Sequence, residues 1–185
     1  MPAWEQSLDE LVRVRGSGLV GYAYLLCGDR REAEDLVQDA LVSTFARGRV
    51  GEPARLEPYV RRAVLNTYLD GFRRRRRWAA VRHLLGQDDA PPPDAQVVDR
   101  MDVAAALRLL APRERACVVL RFYEDLTVAG IAAELALSEG AVKRYLSDGV
   151  RRLEGALGPL PRARTATADP LGTEDIHLLT GRTPS

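Results

Sequence analysis

Cys27, Cys117, His83 and His177 are the only cysteines and histidines in the chain. They are too dispersed to make a disulfide framework, a zinc site or a histidine-based catalytic pair. Both cysteines sit in apolar helical contexts and are expected to be buried free thiols. The paired carboxylates Asp88 and Asp89 lie in a proline-rich stretch without a rigid scaffold, so they do not suggest an enzyme. No cofactor is expected. What remains is non-covalent recognition by clustered charge and aromatic rings, and three clusters stand out.

Lys143 and Arg144 are placed to fall in the first turns of a terminal helix. Side chains of this type pair with guanine O6 and N7 when such a helix enters a major groove. Arg151 and Arg152, further along, suit phosphate or water. The second cluster is the unbroken arginine run at 73–77, which follows Tyr59, Asn66, Tyr68 and Phe72 and precedes Trp78. Aromatic rings among arginines offer a stacking platform for unpaired bases while the cations hold the backbone. Third, Glu34, Asp35, Gln38 and Asp39 form an acidic face that would repel phosphate. That face suits a protein partner, or simply a solvated helix surface.

These clusters need helices to carry them. Leu19, Tyr22, Ala23 and Leu26 recur at helical spacing, and Gly28-Asp29 closes that helix. Ala33, Leu36, Val37, Ala40, Leu41, Thr44 and Phe45 give the next helix an apolar stripe opposite its acids. Residues 47–57 contain two glycines and a proline and read as a loop. Pro58 then suits the first turn of a third helix over about 59–77, with Val60, Val64, Leu65, Leu69 and Phe72 inward. Further on, a helix starts at Ala111-Pro112-Arg113-Glu114 and continues through Phe122. Thr127 caps a short helix over 128–135, Ala136-Leu137 makes a turn, and Ser138 caps a last helix over about 139–156. Val142, Leu146, Val150 and Leu153 form its buried stripe. Gly140, Lys143, Arg144, Ser147 and Arg151 fall on the other side. Two short helices joined by a tight turn, the second one basic, are a helix-turn-helix.

The fold class is therefore all-α. Two small helical domains, an N-terminal bundle over 6–83 and a C-terminal helix-turn-helix domain over 98–157, are joined by a flexible linker at 84–97. That linker holds Pro91-Pro92-Pro93, which do not continue a helix. Residues 158–185, rich in Thr, Ala, Pro and Gly, read as a mobile tail in which Ile176, Leu178 and Leu179 could dock on the body or on a regulator. The 27 basic and 26 acidic residues leave a net charge of only +1, but the charges are segregated, and a local basic patch binds phosphate whatever the total. No apolar run approaches the roughly 18 residues of a membrane span, and the start lacks a signal-peptide order. A cytoplasmic protein without membrane insertion is expected.

The segment Arg30-Arg31-Glu32-Ala33-Glu34-Asp35-Leu36-Val37-Gln38-Asp39-Ala40-Leu41 closely resembles the polymerase-binding helix of extracytoplasmic-function sigma factors, a branch of the bacterial sigma-70 family. Tyr59-Val60-Arg61-Arg62-Ala63-Val64-Leu65-Asn66, with Asp70 and the arginines, resembles that family's −10 recognition helix. Residues 126–153 are similar to its −35-reading helix-turn-helix, and the three occur in the family's order. The resemblance implies a sigma factor that binds core RNA polymerase and promoter DNA and starts transcription. It implies polymerase contacts by Glu34, Asp35, Leu36, Gln38 and Asp39. Tyr59, Arg62, Asn66, Asp70, Arg73 and Arg74 would lie at the −10 element, with residues 47–57 capturing a flipped-out base. Thr127, Ser138, Glu139, Gly140, Lys143, Arg144 and Ser147 would lie at −35. The acidic linker would run toward the RNA path, and an anti-sigma factor is a further partner that the resemblance suggests.

The chain also departs from the family. Ala136 stands where the family often has glycine in the turn, and Arg144-Tyr145 and Asp148-Gly149 differ from its commonest pattern. Gly149 in mid-helix costs about 1 kcal/mol against alanine, and Asp148 would weaken backbone contact. The alternative reading is a stand-alone helix-turn-helix regulator whose N-terminal bundle dimerises or senses a ligand. The first block shows no evident ligand pocket, and its acidic helix beside a basic one speaks against that alternative.

Overall fold

A computed structural model describes residues 2–84 and 103–158. The described residues form seven helices in two compact units. The expected linker beyond Leu84, the tail from Pro159 onward and the side chains of Arg76, Trp78 and His83 lie outside them.

The first unit packs α1 (Ala3–Cys27), α2 (Arg30–Phe45) and α3 (Pro53–Leu84) against one another. α1 stops where Gly28 turns left-handed, φ 76°, and its N–H donates to the Tyr24 carbonyl at 2.8 Å. This is the αL ending that glycine adopts without steric cost. Asp29 at once caps α2, accepting from the Glu32 N–H at 2.8 Å. Leu11, Leu19, Tyr22 and Leu26 of α1 meet Leu36, Val37 and Phe45 of α2 and Val60, Val64 and Leu65 of α3 in an apolar core. Leu41, expected in the stripe, is only half-buried.

The third helix differs from expectation at both ends. It begins at Pro53, so Pro58 lies inside it and residues 53–57 are helical; the loop is confined to residues 46–52. Pro58 costs one backbone hydrogen bond, yet tertiary contacts hold the extra turn in place. Leu56 is buried in the core, and Glu57 pairs with Arg15 of α1 at 3.2 Å and with Arg61 one turn on. Toward the C-terminus α3 runs on to Leu84, because 78–84 contains no breaker before Gly86. The inward stripe is also rotated: Tyr68 is buried at 4% exposure, whereas Leu69 and Phe72 are half-buried.

The second unit contains α4 (Val103–Leu107), α5 (Pro112–Phe122), α6 (Val128–Leu135) and α7 (Glu139–Leu157). Its local signals act as anticipated. Thr127 accepts from the Gly130 N–H at 3.1 Å, and Ser138 from the Ala141 N–H at 3.2 Å. Ala136 takes the left-handed conformation, φ 51° and ψ 50°, in the place where glycine would be free of strain. The core combines Cys117, Val118 and Leu120 of α5 with Ile131 of α6 and Val142, Leu146 and Leu153 of α7. Between Leu146 and Leu153 the buried residue is Gly149; Val150, expected there, is half-buried.

This small core also buries charge. Glu114, Arg115 and Arg121 are each below 9% exposure. The Arg115 guanidinium donates to the carbonyls of Arg108 at 2.9 Å and Leu110 at 3.3 Å, closing the chain after α4. Arg121 likewise donates to the Leu126 carbonyl at 3.1 Å, in the turn that leads to α6. Carbonyls of the turns between the helices thus find partners inside the unit.

Candidate nucleic-acid and protein-docking surfaces

On α7 the stripe opposite the core is exposed. Ser138, Glu139, Gly140, Lys143, Arg144 and Ser147 all reach solvent, as does Thr127 at the start of α6. The Thr127 and Ser138 oxygens accept capping bonds, so these residues position the two helices as well as line the surface. Arg144 lies over the Tyr145 ring, 5.4 Å from guanidinium carbon to centroid, which limits its freedom. Asp148 pairs with Arg151 at 3.4 Å, so its charge meets a cation on its own helix. Arg152 remains exposed, and its Nη1 also donates to Glu114 Oε2 at 2.9 Å.

The basic helix α3 presents a second exposed stripe. Tyr59, Arg62, Asn66, Asp70 and Arg73 recur at spacings of three and four, on the side away from Val60, Val64 and Tyr68, and Arg74 flanks them. Tyr59 is 48% exposed, and Arg49 of the 46–52 loop stacks on its ring at 3.9 Å from the centroid. Loop and helix therefore meet at one aromatic side chain. Asp70 pairs with Arg73 at 3.0 Å, and Arg75 reaches across to Glu32 of α2 at 3.4 Å. The arginine run is thus divided: Arg73 and Arg74 lie on or beside the stripe, whereas Arg75 bridges to a neighbouring helix. Tyr68, expected on the stacking platform, is in the core instead, because residue 68 falls between the buried positions 64 and 65 one turn earlier on the helix wheel.

The acidic face of α2 is exposed at Glu34, Asp35, Gln38 and Asp39, with Glu34 paired to Arg30 at 3.0 Å. Leu36 is 7% exposed and belongs to the core, so it orients the helix from beneath. Sequence reasoning missed what adjoins this face. Trp4, Leu8 and Val12 of α1 and Val37, Leu41, Val42 and Phe45 of α2 line an open apolar groove of about 700 Å³, rimmed by Glu34 and Gln38. Val42 stands 63% exposed at its edge. Trp4, Leu8 and Val12 repeat at four-residue spacing, and that is the signal that could have revealed it. The groove corrects the expectation of a first block without a pocket.

Burial disfavours the thiolate at both cysteines. Burial pushes the Cys117 thiol up to about 12. It also raises Cys27, which is only half-buried and whose thiol donates to the Asp29 carbonyl at 3.1 Å. Among the described residues, no three Cys, His, Asp or Glu side chains form a metal-binding group. No helix among them is long and apolar enough to cross a membrane.

Comparison with known proteins agrees with this arrangement. The family model for Sigma-70 region 2 matches residues 11–78, and that for Sigma-70, region 4 matches residues 106–154. The RNA polymerase sigma-E factor of Streptomyces coelicolor is 34% identical over 150 residues, covering 80% of this chain and 85% of the relative. The ECF RNA polymerase sigma factor SigL of Mycobacterium tuberculosis is 32% identical over 149 residues, 75% of this chain and 82% of the relative. Among solved structures, the sigma factor RpoE from Bartonella quintana, crystallised with the anti-sigma factor NepR, shares the fold with a TM-score of 0.58. It is 24% identical, over 80% of this chain and 95% of that one. The chain belongs to the extracytoplasmic-function sigma factors of the sigma-70 family. It is a promoter-specificity subunit for RNA polymerase and not an enzyme in its own right.

Proposed function

We propose that the two exposed stripes divide promoter recognition between the units, with residues 6–83 serving core polymerase and the −10 element and residues 98–157 the −35 element. The observation that carries this reading is α7: its N-terminal half exposes Gly140, Lys143, Arg144 and Ser147 while Val142 and Leu146 behind them are fully buried. A helix held in this way presents its donors to a major groove without exposing its core. On α3, Asn66, Asp70, Arg73 and Arg74 would follow the melted −10 strand from Tyr59 onward. Residues 46–52, anchored to Tyr59 through Arg49, would hold an unstacked base. Glu34, Asp35, Gln38 and Asp39 would dock on the polymerase clamp, with Leu36 positioning them. An anti-sigma partner, the kind of protein the Bartonella relative was crystallised with, would silence the chain by covering both units. The setting is the cytoplasm, where core polymerase and promoter DNA are found.

Each stripe alone is small, and tethering both to polymerase supplies the avidity. Reconstituted transcription tests the proposal. Purified chain and core polymerase on a fragmented GC-rich genomic library should yield start sites sharing two upstream elements at fixed spacing. Lys143→Ala or Arg144→Ala should lose about 1–3 kcal/mol at one −35 position if the residue reads a base there. Unchanged transcription from a matched promoter would remove both residues from the site. Tight binding to a palindromic operator without polymerase would favour a stand-alone regulator.

A further inference from the structure

On the reading that α7 enters DNA at the −35 element, we infer that Gly149 is a specificity-determining positioning residue. Its bare backbone lets α7 approach α5 at the one distance and tilt that aim Lys143 and Arg144 correctly. A Cβ placed on Gly149 would stand 2.9 Å from Val118 Cγ2, 3.6 Å from Leu110 Cδ1 and 3.9 Å from Glu114 Cβ. Gly140 and Gly155, on the same helix, would meet nothing within 4 Å. Ordinary carbon–carbon contact is about 3.5–4.0 Å, so the helices touch at Gly149 more closely than any side chain there would allow. Val118 is buried, and its branched side chain is restricted at χ1 within a helix. A methyl group at 149 would therefore displace α7.

The crossing is braced on both sides, by Leu146 before it and Leu153 after it, both fully buried. Arg152, just beyond the crossing, is held to Glu114 Oε2 at 2.9 Å. That same oxygen accepts the Ala111 N–H at 3.1 Å, tying the clamp to the start of α5. α7 must shift or tilt against α5 to make room, and Lys143 and Arg144 move with it. Lys143 lies about 9 Å up the helix axis from Gly149 at about 1.5 Å per residue. Hydrogen bonds to base edges weaken steeply off their geometry, so a small tilt suffices to misaim them. Glycine at this point weakens the helix locally, and the gain is a defined pose.

Full-length chain with core polymerase provides the test, on a promoter with a matched −35 element and on one with that element scrambled. G149A should lower transcription from the matched promoter by about tenfold, on the scale of one lost base contact. The scrambled promoter, co-elution with core and far-UV helix content should stay at the parent's level. Adding V118A, which removes the obstructing methyl groups, should recover discrimination between the promoters. A loss under about fivefold in G149A, or a defect that persists in a folded G149A/V118A chain, would overturn the inference. Should G149A not fold, the double variant decides: folded and discriminating supports the inference, while folded and blind, or still unfolded, overturns it. A parent chain indifferent to the −35 sequence would instead overturn the reading of α7 as the −35 helix.

Discussion

The two units close their interiors by different means. The bundle of α1, α2 and α3 meets through large apolar side chains, with Ser7 and Thr44 the only buried polar residues among those described there. The unit of α4 to α7 buries two arginines and a glutamate, and brings α7 onto α5 at a glycine. A short-helix unit has many helix ends and turns for its volume, and these leave backbone groups, carbonyls among them, that need partners. Arg115 and Arg121 supply these from inside. A bundle of long helices has fewer ends per buried residue, and apolar packing is enough. Shape holds the first unit together, whereas the second depends on directed, charge-assisted bonds that also fix the orientation of its exposed helix.

This contrast can be broken experimentally. Leu65→Ala, which removes a fully buried side chain from the bundle, should cost about 2–5 kcal/mol. Native-state hydrogen exchange on the full chain should show that loss in the amides of α1 to α3 and leave those of α5 and α7 protected; equal loss in both units would contradict separate cores. Arg115→Met keeps much of the volume but leaves the Arg108 and Leu110 carbonyls without their donor. It should cost the second unit about 1–3 kcal/mol, seen as faster exchange there. A neutral result would mean that packing, not the guanidinium, closes this core. Thr127→Ala and Ser138→Ala should each cost about 1 kcal/mol as lost caps, with thermal unfolding as the readout. A near-zero effect of both would show that α6 and α7 are held by tertiary packing alone.

How far each unit was legible follows from the same difference. In the second unit the signals are local: Thr127 and Ser138 carry their own capping oxygens, Pro112 opens α5, and Ala136 turns between α6 and α7. Helix boundaries there match the sequence reading to about a residue at most ends. In the first unit Pro58 looked like a helix start, yet burial of Leu56 and the pairing of Glu57 with Arg15 carry the helix back to Pro53. Tyr68 looked like part of a platform, and its ring lies in the core. Gly149 looked like a local weakness until Val118 was found opposite it.

Sequence alone determined the helical class, the order of every helix but α4, the caps of α6 and α7 and the residue types on three exposed faces. It did so because hydrophobic periodicity, capping oxygens and glycine or proline breaks act over a few residues. Tertiary structure alone decided which carboxylates the exposed arginines meet: Arg73 pairs with Asp70 on its own helix, Arg75 crosses to Glu32 and Arg152 reaches Glu114. It also decided the groove beside α2 and the close approach at Gly149. Each of these depends on partners dozens of residues away, and the distance between such partners is set only when helices pack.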